Sequence, residues 1–220
     1  MGAMSSPSSS DPLSLLSAGQ PSEGDDDPIR EQILDAATAQ FASVGIARST
    51  MGDITRRAGL ARMTLYRRFA NKQDLVEAAL MREAWWFLSA LQQEIDSHDS
   101  LEGKLTEGFA FTITRLRDHG LLNRLLETEA ESTVPYFTVQ GAPLITAAAH
   151  FLADVVSRSV PDNRSREELL VVSEVVVRLV VSFILSPSMI IDLDDPELTR
   201  AFARNQIGPL LGPSEFPPGA

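Results

Sequence analysis

The stretch from Thr50 to Phe69 constrains this chain most, because two short amphipathic segments flank Ala58-Gly59 within it. Thr50 can cap a helix with Asp53 three positions on, a capping-box arrangement, and Met51, Ile54 and Ala58 lie on that helix's inner face. Gly59 stops it, Leu60 and Ala61 make a tight turn, and a third helix is expected over Arg62 to Phe69. Two short helices joined by a glycine turn define a helix-turn-helix. A first helix precedes the pair: Asp27-Pro28 is a strong start, and Ile29, Ile33, Ala36, Ala37, Phe41 and Val44 form one apolar stripe that Gly45 can end in a left-handed cap. Asn71 then caps a fourth helix with Asp74 at its N3 position.

The third helix divides sharply. A step of about 100° per residue puts Leu65 and Phe69 on one face, joining Leu60 in a small core, and Met63, Thr64 and Arg67 on the other. Arg62, Tyr66 and Arg68 flank that polar face as groups able to grip phosphates. A helix that enters the major groove of DNA needs this arrangement. Arg67 can give a bidentate contact to guanine, Thr64 can hydrogen-bond a base or phosphate, and Met63 can rest on a thymine methyl. Thr50, Tyr66 and Lys72 suit phosphates, aided by backbone N–H groups at the start of the fourth helix.

Charge placement supports this even though the chain of 220 residues carries a formal net charge of −11. Residues 28–75 hold eight basic side chains against four acidic ones, leaving that stretch at +4 and the remainder at −15. Exposed charges are screened beyond roughly 8 Å at physiological salt, so a local basic face can hold phosphates on an acidic protein. An ordinary solvated face would not explain why basic residues, a glycine turn and the Leu65/Phe69 anchor coincide.

The chain has no cysteine and three histidines, which removes thiolate catalysis, CxxC redox chemistry and thiolate zinc sites. No metal or cofactor is expected. His98-Asp99 and Asp118-His119 are the only acid/base pairs that could serve an enzyme, and no phosphate loop, nucleophile elbow or HExxH accompanies them. Residues 1–27, rich in Ser, Pro, Gly and Asp, are expected as a disordered tail, without a secretory signal. A cytoplasmic protein is the expectation. Leu169 to Leu185 is apolar, but Glu174 and Arg178 interrupt it, so it is expected as a buried helix and not a membrane span.

After Lys72 the periodicity predicts helices over roughly 72–97, 101–118, 121–130, 142–159, 165–185 and 195–206. The valines of 171–181 favour a strand by propensity, yet Glu174, Arg178 and Ser182 fall every fourth residue and no partner strand is available. The expected fold is all-α, with about nine helices: a helix-turn-helix domain over 28–75, joined through helix four to a helical bundle over 76–220.

Ile33, Ala36-Ala37, Phe41, Gly45, Thr50, Ile54, Ala58-Gly59, Leu65-Tyr66, Phe69 and Lys72 together resemble the DNA-binding domain of the TetR family. The resemblance covers about residues 29–75. It implies a homodimeric regulator of double-stranded DNA with a divergent C-terminal domain for ligand binding and dimerisation, here read as a repressor released from a palindromic operator by a small effector. Ala61 departs from the serine that often caps the family's recognition helix, and Met63 from its usual small residue. A lost cap costs about 0.5–2 kcal/mol.

The resemblance also places an effector cavity among helices four to seven. Trp85, Trp86, Phe109, Phe111, Phe137 and Phe151 are concentrated there, with Arg115, His119 and Asn123 as groups able to orient a ligand, which favours a hydrophobic or aromatic effector. The helices over 165–206 are apolar beyond what a monomer surface tolerates, so they are expected to form a four-helix dimer interface. A constitutive or activating DNA-binding protein without an effector is the alternative.

Overall fold

The computed structural model describes residues 27–159 and 165–211. The expected tail falls outside them except for Asp27. Helix α1 is Pro28–Val44, α2 Met51–Ala58, α3 Arg62–Tyr66, and α4 Lys72–Asp96. Each start is set locally. The Asp27 carboxylate accepts the N–H groups of Ile29 and Arg30 at 3.1 and 3.2 Å, Thr50 and Asp53 form a reciprocal capping box, and Asn71 accepts the Asp74 N–H at 3.0 Å. Gly59 ends α2 in the left-handed conformation at φ 67° and ψ 26°. Gly45 also has positive φ, at 88°, but its ψ of 163° is extended rather than the left-handed helical cap expected.

α3 is shorter than expected because the chain tightens after Tyr66. The N–H groups of Arg68 and Phe69 both reach the Leu65 carbonyl at 3.0 Å. That last turn still delivers Phe69 inward. Ile33, Leu34, Phe41, Ile54, Leu65, Phe69, Leu75 and Ala79 form one core joining α1 to α4.

The chain continues as α5 (Leu101–Arg117), α6 (Gly120–Thr128), α7 (Ala130–Thr133), a 3₁₀ turn over Val134–Phe137, α8 (Ala142–Ser159), α9 (Arg166–Leu185) and α10 (Pro196–Phe202). A wide π turn over Ala203–Ile207 leads into α11 (Gly208–Leu211). Every regular element among the described residues is helical, so the fold is all-α. The valine-rich segment is helical inside α9, where Ser165 and Glu168 form a capping box and α8 packs along its length. Tertiary burial of Leu169 and Val176 outweighs strand propensity. No single helix among the described residues is long and apolar enough to cross a membrane.

Two features differ from expectation. α6 belongs partly to the N-terminal core, since Leu121 and Leu125 pack with the α1–α4 residues. The segment over 195–206, expected at the dimer interface, also packs within its own chain. Ala203 and Ile207 are buried with Phe109 and Leu105, Phe202 packs on Phe109 and Phe183, and Arg200 pairs with Glu107 of α5 at 2.8 Å. Leu198 of α10 remains 49% exposed. Apolar side chains that remain exposed on α8 and α9 include Leu144, Val171 and Val175.

Candidate nucleic-acid interface

The anchor and face of α3 separate as its periodicity requires. Leu65 is fully buried and Phe69 nearly so, whereas Met63 is 71% and Tyr66 46% exposed. Arg62 and Arg67 are exposed and Thr64 is half-buried. Met63, Thr64, Arg67, Arg62 and Tyr66 therefore share a projecting surface, supported from beneath by the core. Ala61 makes no side-chain cap bond, so the first N–H groups of α3 lack that partner.

Thr50 and Lys72 border this surface with duties of their own. The Thr50 hydroxyl donates to Asp53 at 2.5 Å and accepts the Asp53 N–H at 3.1 Å, holding the start of α2. That hydroxyl and the Thr50 N–H hold the Asp53 carboxyl below its ordinary value against the effect of burial, and Arg56 contributes less. Lys72 Nζ donates to the Ala47 carbonyl at 3.2 Å, linking the start of α4 to the turn between α1 and α2.

Arg68 is placed differently from the phosphate contact expected. Its guanidinium grips the Asp27 carboxylate at 2.5 and 3.1 Å, and only about a quarter of its side chain is exposed. The pair joins the end of α3 to the start of α1. The Arg68 hydrogen bond is also the main reason the Asp27 carboxyl titrates below its usual range, with the two capping N–H groups adding to it.

A second polar cluster ties the N-terminal core to the rest of the chain. Arg82 of α4 is 5% exposed, pairs with Glu31 at 3.0 Å and Asp35 at 2.9 Å on α1, and lies 4.3 Å over the Trp86 ring. Glu83 accepts from Thr38 of α1 at 3.3 Å and contacts His119 Nε2 at 3.3 Å. The His119 contact, with the charge of Arg82, holds the Glu83 carboxyl below its ordinary value despite burial. These contacts span up to 51 positions of sequence, and no local spacing announces them.

The residues expected around an effector are dispersed. Phe109 fills the core facing α10, whereas Phe111 and Phe151 pack with Phe87, Leu91 and Ile95 of α4. Trp85 and Phe137 are half-buried, and Trp86 is exposed beneath Arg82. Arg115 is exposed over the Phe111 ring, His119 caps α6 by accepting the Leu122 N–H, and Asn123 donates to the Arg117 carbonyl at 2.5 Å. The three groups expected to orient a ligand are thus exposed or engaged in structure. Two hydroxyls that periodicity did not single out, Thr106 of α5 and Ser173 of α9, are buried without a hydrogen-bond partner among the described residues.

A three-helix core that projects a short, polar-faced helix after a left-handed glycine defines a helix-turn-helix protein of the DNA-binding class. Residues 33–79 match the model of the bacterial regulatory proteins of the tetR family, and residues 100–204 match that of the bacterial tetracyclin repressor C-terminal domain. The chain belongs to the TetR family of transcriptional regulators. It is 24% identical over 164 residues to the HTH-type transcriptional regulator AlkX of Mycobacterium tuberculosis (strain ATCC 25618 / H37Rv), covering 72% of this chain and 76% of that one. It is 29% identical over 110 residues to the HTH-type transcriptional repressor KstR2 of Mycolicibacterium smegmatis, covering 49% of this chain and 54% of that one. Among solved structures, the TetR family repressor AlkX from Dietzia sp. strain DQ12-45-1b, implicated in biodegradation of n-alkanes, superposes with a TM-score of 0.55. It shares 26% identity over 79% of this chain and 92% of its own.

Proposed function

We propose that this chain is a homodimeric repressor that binds a palindromic operator and is released when a small hydrophobic effector enters its C-terminal helical region. The observation that carries the DNA-binding half is the face of exposed Met63 and Arg67 and half-buried Thr64 over the buried Leu65 and Phe69 anchor. Arg67 reads guanine, Met63 and Thr64 contact neighbouring bases, and Thr50, Arg62, Tyr66 and Lys72 hold phosphates. Arg68 serves the frame instead, through Asp27. The division of labour follows residues 28–75 as DNA-binding domain and 76–220 as effector and dimer domain, with α6 reaching across.

An effector that is apolar is favoured by the aromatic cluster of Phe87, Phe111 and Phe151 beside α4, and by the likeness to a repressor implicated in n-alkane biodegradation. Thr106 and Ser173 are the groups best placed to offer a buried hydrogen bond, because their hydroxyls have no other partner among the described residues. Exposed Leu144, Val171 and Val175 support self-association through α8 and α9. A cytoplasmic location is consistent with a regulator that acts on DNA.

Mobility shifts of the purified chain on the DNA flanking its own gene, at several salt concentrations, test this reading. A sequence-selective shift abolished by the Arg67→Ala substitution is expected. Binding that is uniform across sequences would sink it. Apolar compounds added to the shifted complex should release it, and failure of every chain length tried would favour the constitutive alternative.

A further inference from the structure

We infer that Glu129, at the end of α6, is a positioning residue for DNA binding: it fixes the turn between α1 and α2, and through it the placement of Thr50 and Lys72. The inference rests on the DNA-binding reading above. Glu129 Oε1 accepts the Ala47 N–H at 2.8 Å, a contact across 82 positions of sequence. The Ala47 carbonyl accepts from Lys72 Nζ at 3.2 Å. Ala47 is therefore gripped at both polar ends, by a carboxylate from α6 and an ammonium group from α4.

The other bonds of the turn lie within it or reach back into α1, as the Gly45 N–H does to the Phe41 carbonyl at 2.8 Å. Ser49 donates through Oγ to the Gly45 carbonyl at 2.6 Å and through its N–H to the Ile46 carbonyl, and Arg48 Nε donates to the Val44 carbonyl. These fix the turn's shape but not its place against α6 and α4. Glu129 and Lys72 set that place together with Ile46, which packs on the core shared by α1, α4 and α6. Room for the carboxylate exists because residue 45 is glycine. A Cβ there would collide with Glu129 Oε1 and meet Thr128 Oγ1 at 3.3 Å, and the φ of 88° with extended ψ is a conformation essentially confined to glycine. Leu121 and Leu125 seat α6 in the same core as Phe41 and Ile54, so the carboxylate projects from a rigid base.

The sign of the effect separates positioning from charge. A carboxylate beside a basic DNA-binding face repels phosphate, so removing an idle one should tighten binding. Removing a positioning one should weaken it. The experiment measures binding of the full chain to the DNA flanking its own gene at two salt concentrations, for wild type, Glu129→Ala and Glu129→Gln, with amide hydrogen exchange at Ala47. Glu129→Ala is expected to weaken selective binding roughly three- to tenfold, the scale of one solvent-exposed hydrogen bond, without changing the salt slope. Glu129→Gln keeps an acceptor oxygen and should bind at least as tightly as wild type, and Ala47 should exchange faster in the alanine variant alone. Equal or tighter binding by Glu129→Ala, or a glutamine variant that falls as far as alanine, would overturn the inference. A wild-type chain that selects no DNA sinks the underlying reading as well, whereas selective wild-type binding with an unaffected alanine variant sinks this inference alone.

Discussion

Arg82→Ala should loosen the seam between α1 and α4, and the structure bounds the cost. Breaking a buried ion pair from one side typically costs about 3–5 kcal/mol, mostly from stranding the partner charge. Here Glu31 and Asp35 are not stranded, and Glu83, 3.8 Å from the guanidinium and 18% exposed, keeps its contact with His119. The Glu31 and Asp35 side chains are 40% and 68% exposed, so water recovers both carboxylates once the guanidinium is gone. What remains is the packing of a side chain only 5% exposed and its contact with the Trp86 face, the latter worth about 0.5–2 kcal/mol. The expected loss is about 2–3 kcal/mol, or a fall of roughly 4–12 °C in the unfolding midpoint for a chain of this size. Arg82→Met, which keeps much of the stem, should lose less than half as much. Calorimetry on both variants, with Asp35→Ala and the double variant completing a cycle, measures these values. A midpoint for Arg82→Ala indistinguishable from wild type, or a methionine variant as damaged as alanine, would refute the argument that burial of the stem dominates.

Arg67→Ala should reduce discrimination between operator and unrelated DNA more than it reduces non-specific affinity, whereas Lys72→Ala should weaken all sequences alike; equal profiles in a mobility-shift series would count against those roles. Leu65→Ala, at a fully buried site, should cost about 2–5 kcal/mol and shift the denaturant midpoint without a change in m-value. Glu83 stabilises the fold through its ionised form, since contacts from His119 and Arg82 hold its carboxyl below the ordinary value of 4.5. That contribution is complete above this value and is lost as pH falls through the lowered folded-state value, so the stability gap between wild type and Glu83→Gln should narrow on acidification below about 4.5. A gap constant with pH would show that the carboxylate's charge does not matter there.

Features carried by neighbours in sequence were legible without a structure. Asp27, Thr50 with Asp53, Gly59 and Asn71 each act on N–H groups within three residues or on their own φ, so residue type at one position predicts the geometry. Helical period likewise placed Leu65 and Phe69 inward and Met63 and Arg67 outward. A family resemblance on those same residues pointed to a transcription regulator, and the matches across both halves of the chain agree with it.

Contacts between distant helices were not legible, because nothing local distinguishes a solvated arginine from a paired one. Arg68 looked like a phosphate ligand until Asp27, 41 positions away, was brought against it. The family resemblance implied one cavity among the aromatic residues of α4, α5 and α8, yet the rotation of each helix sends Phe109 toward α10 and Phe111 toward α4. The segment over 195–206 read as an interface, and part of it, Phe202 and Ala203, also packs against α5 within one chain. The helices, their N-caps and the two faces of α3 were readable in residue order, since all of these depend on dihedral preference and period. Which charges pair, which apolar faces remain open, and that Glu129 meets a turn made possible by Gly45 were not, since these depend on how whole helices approach one another.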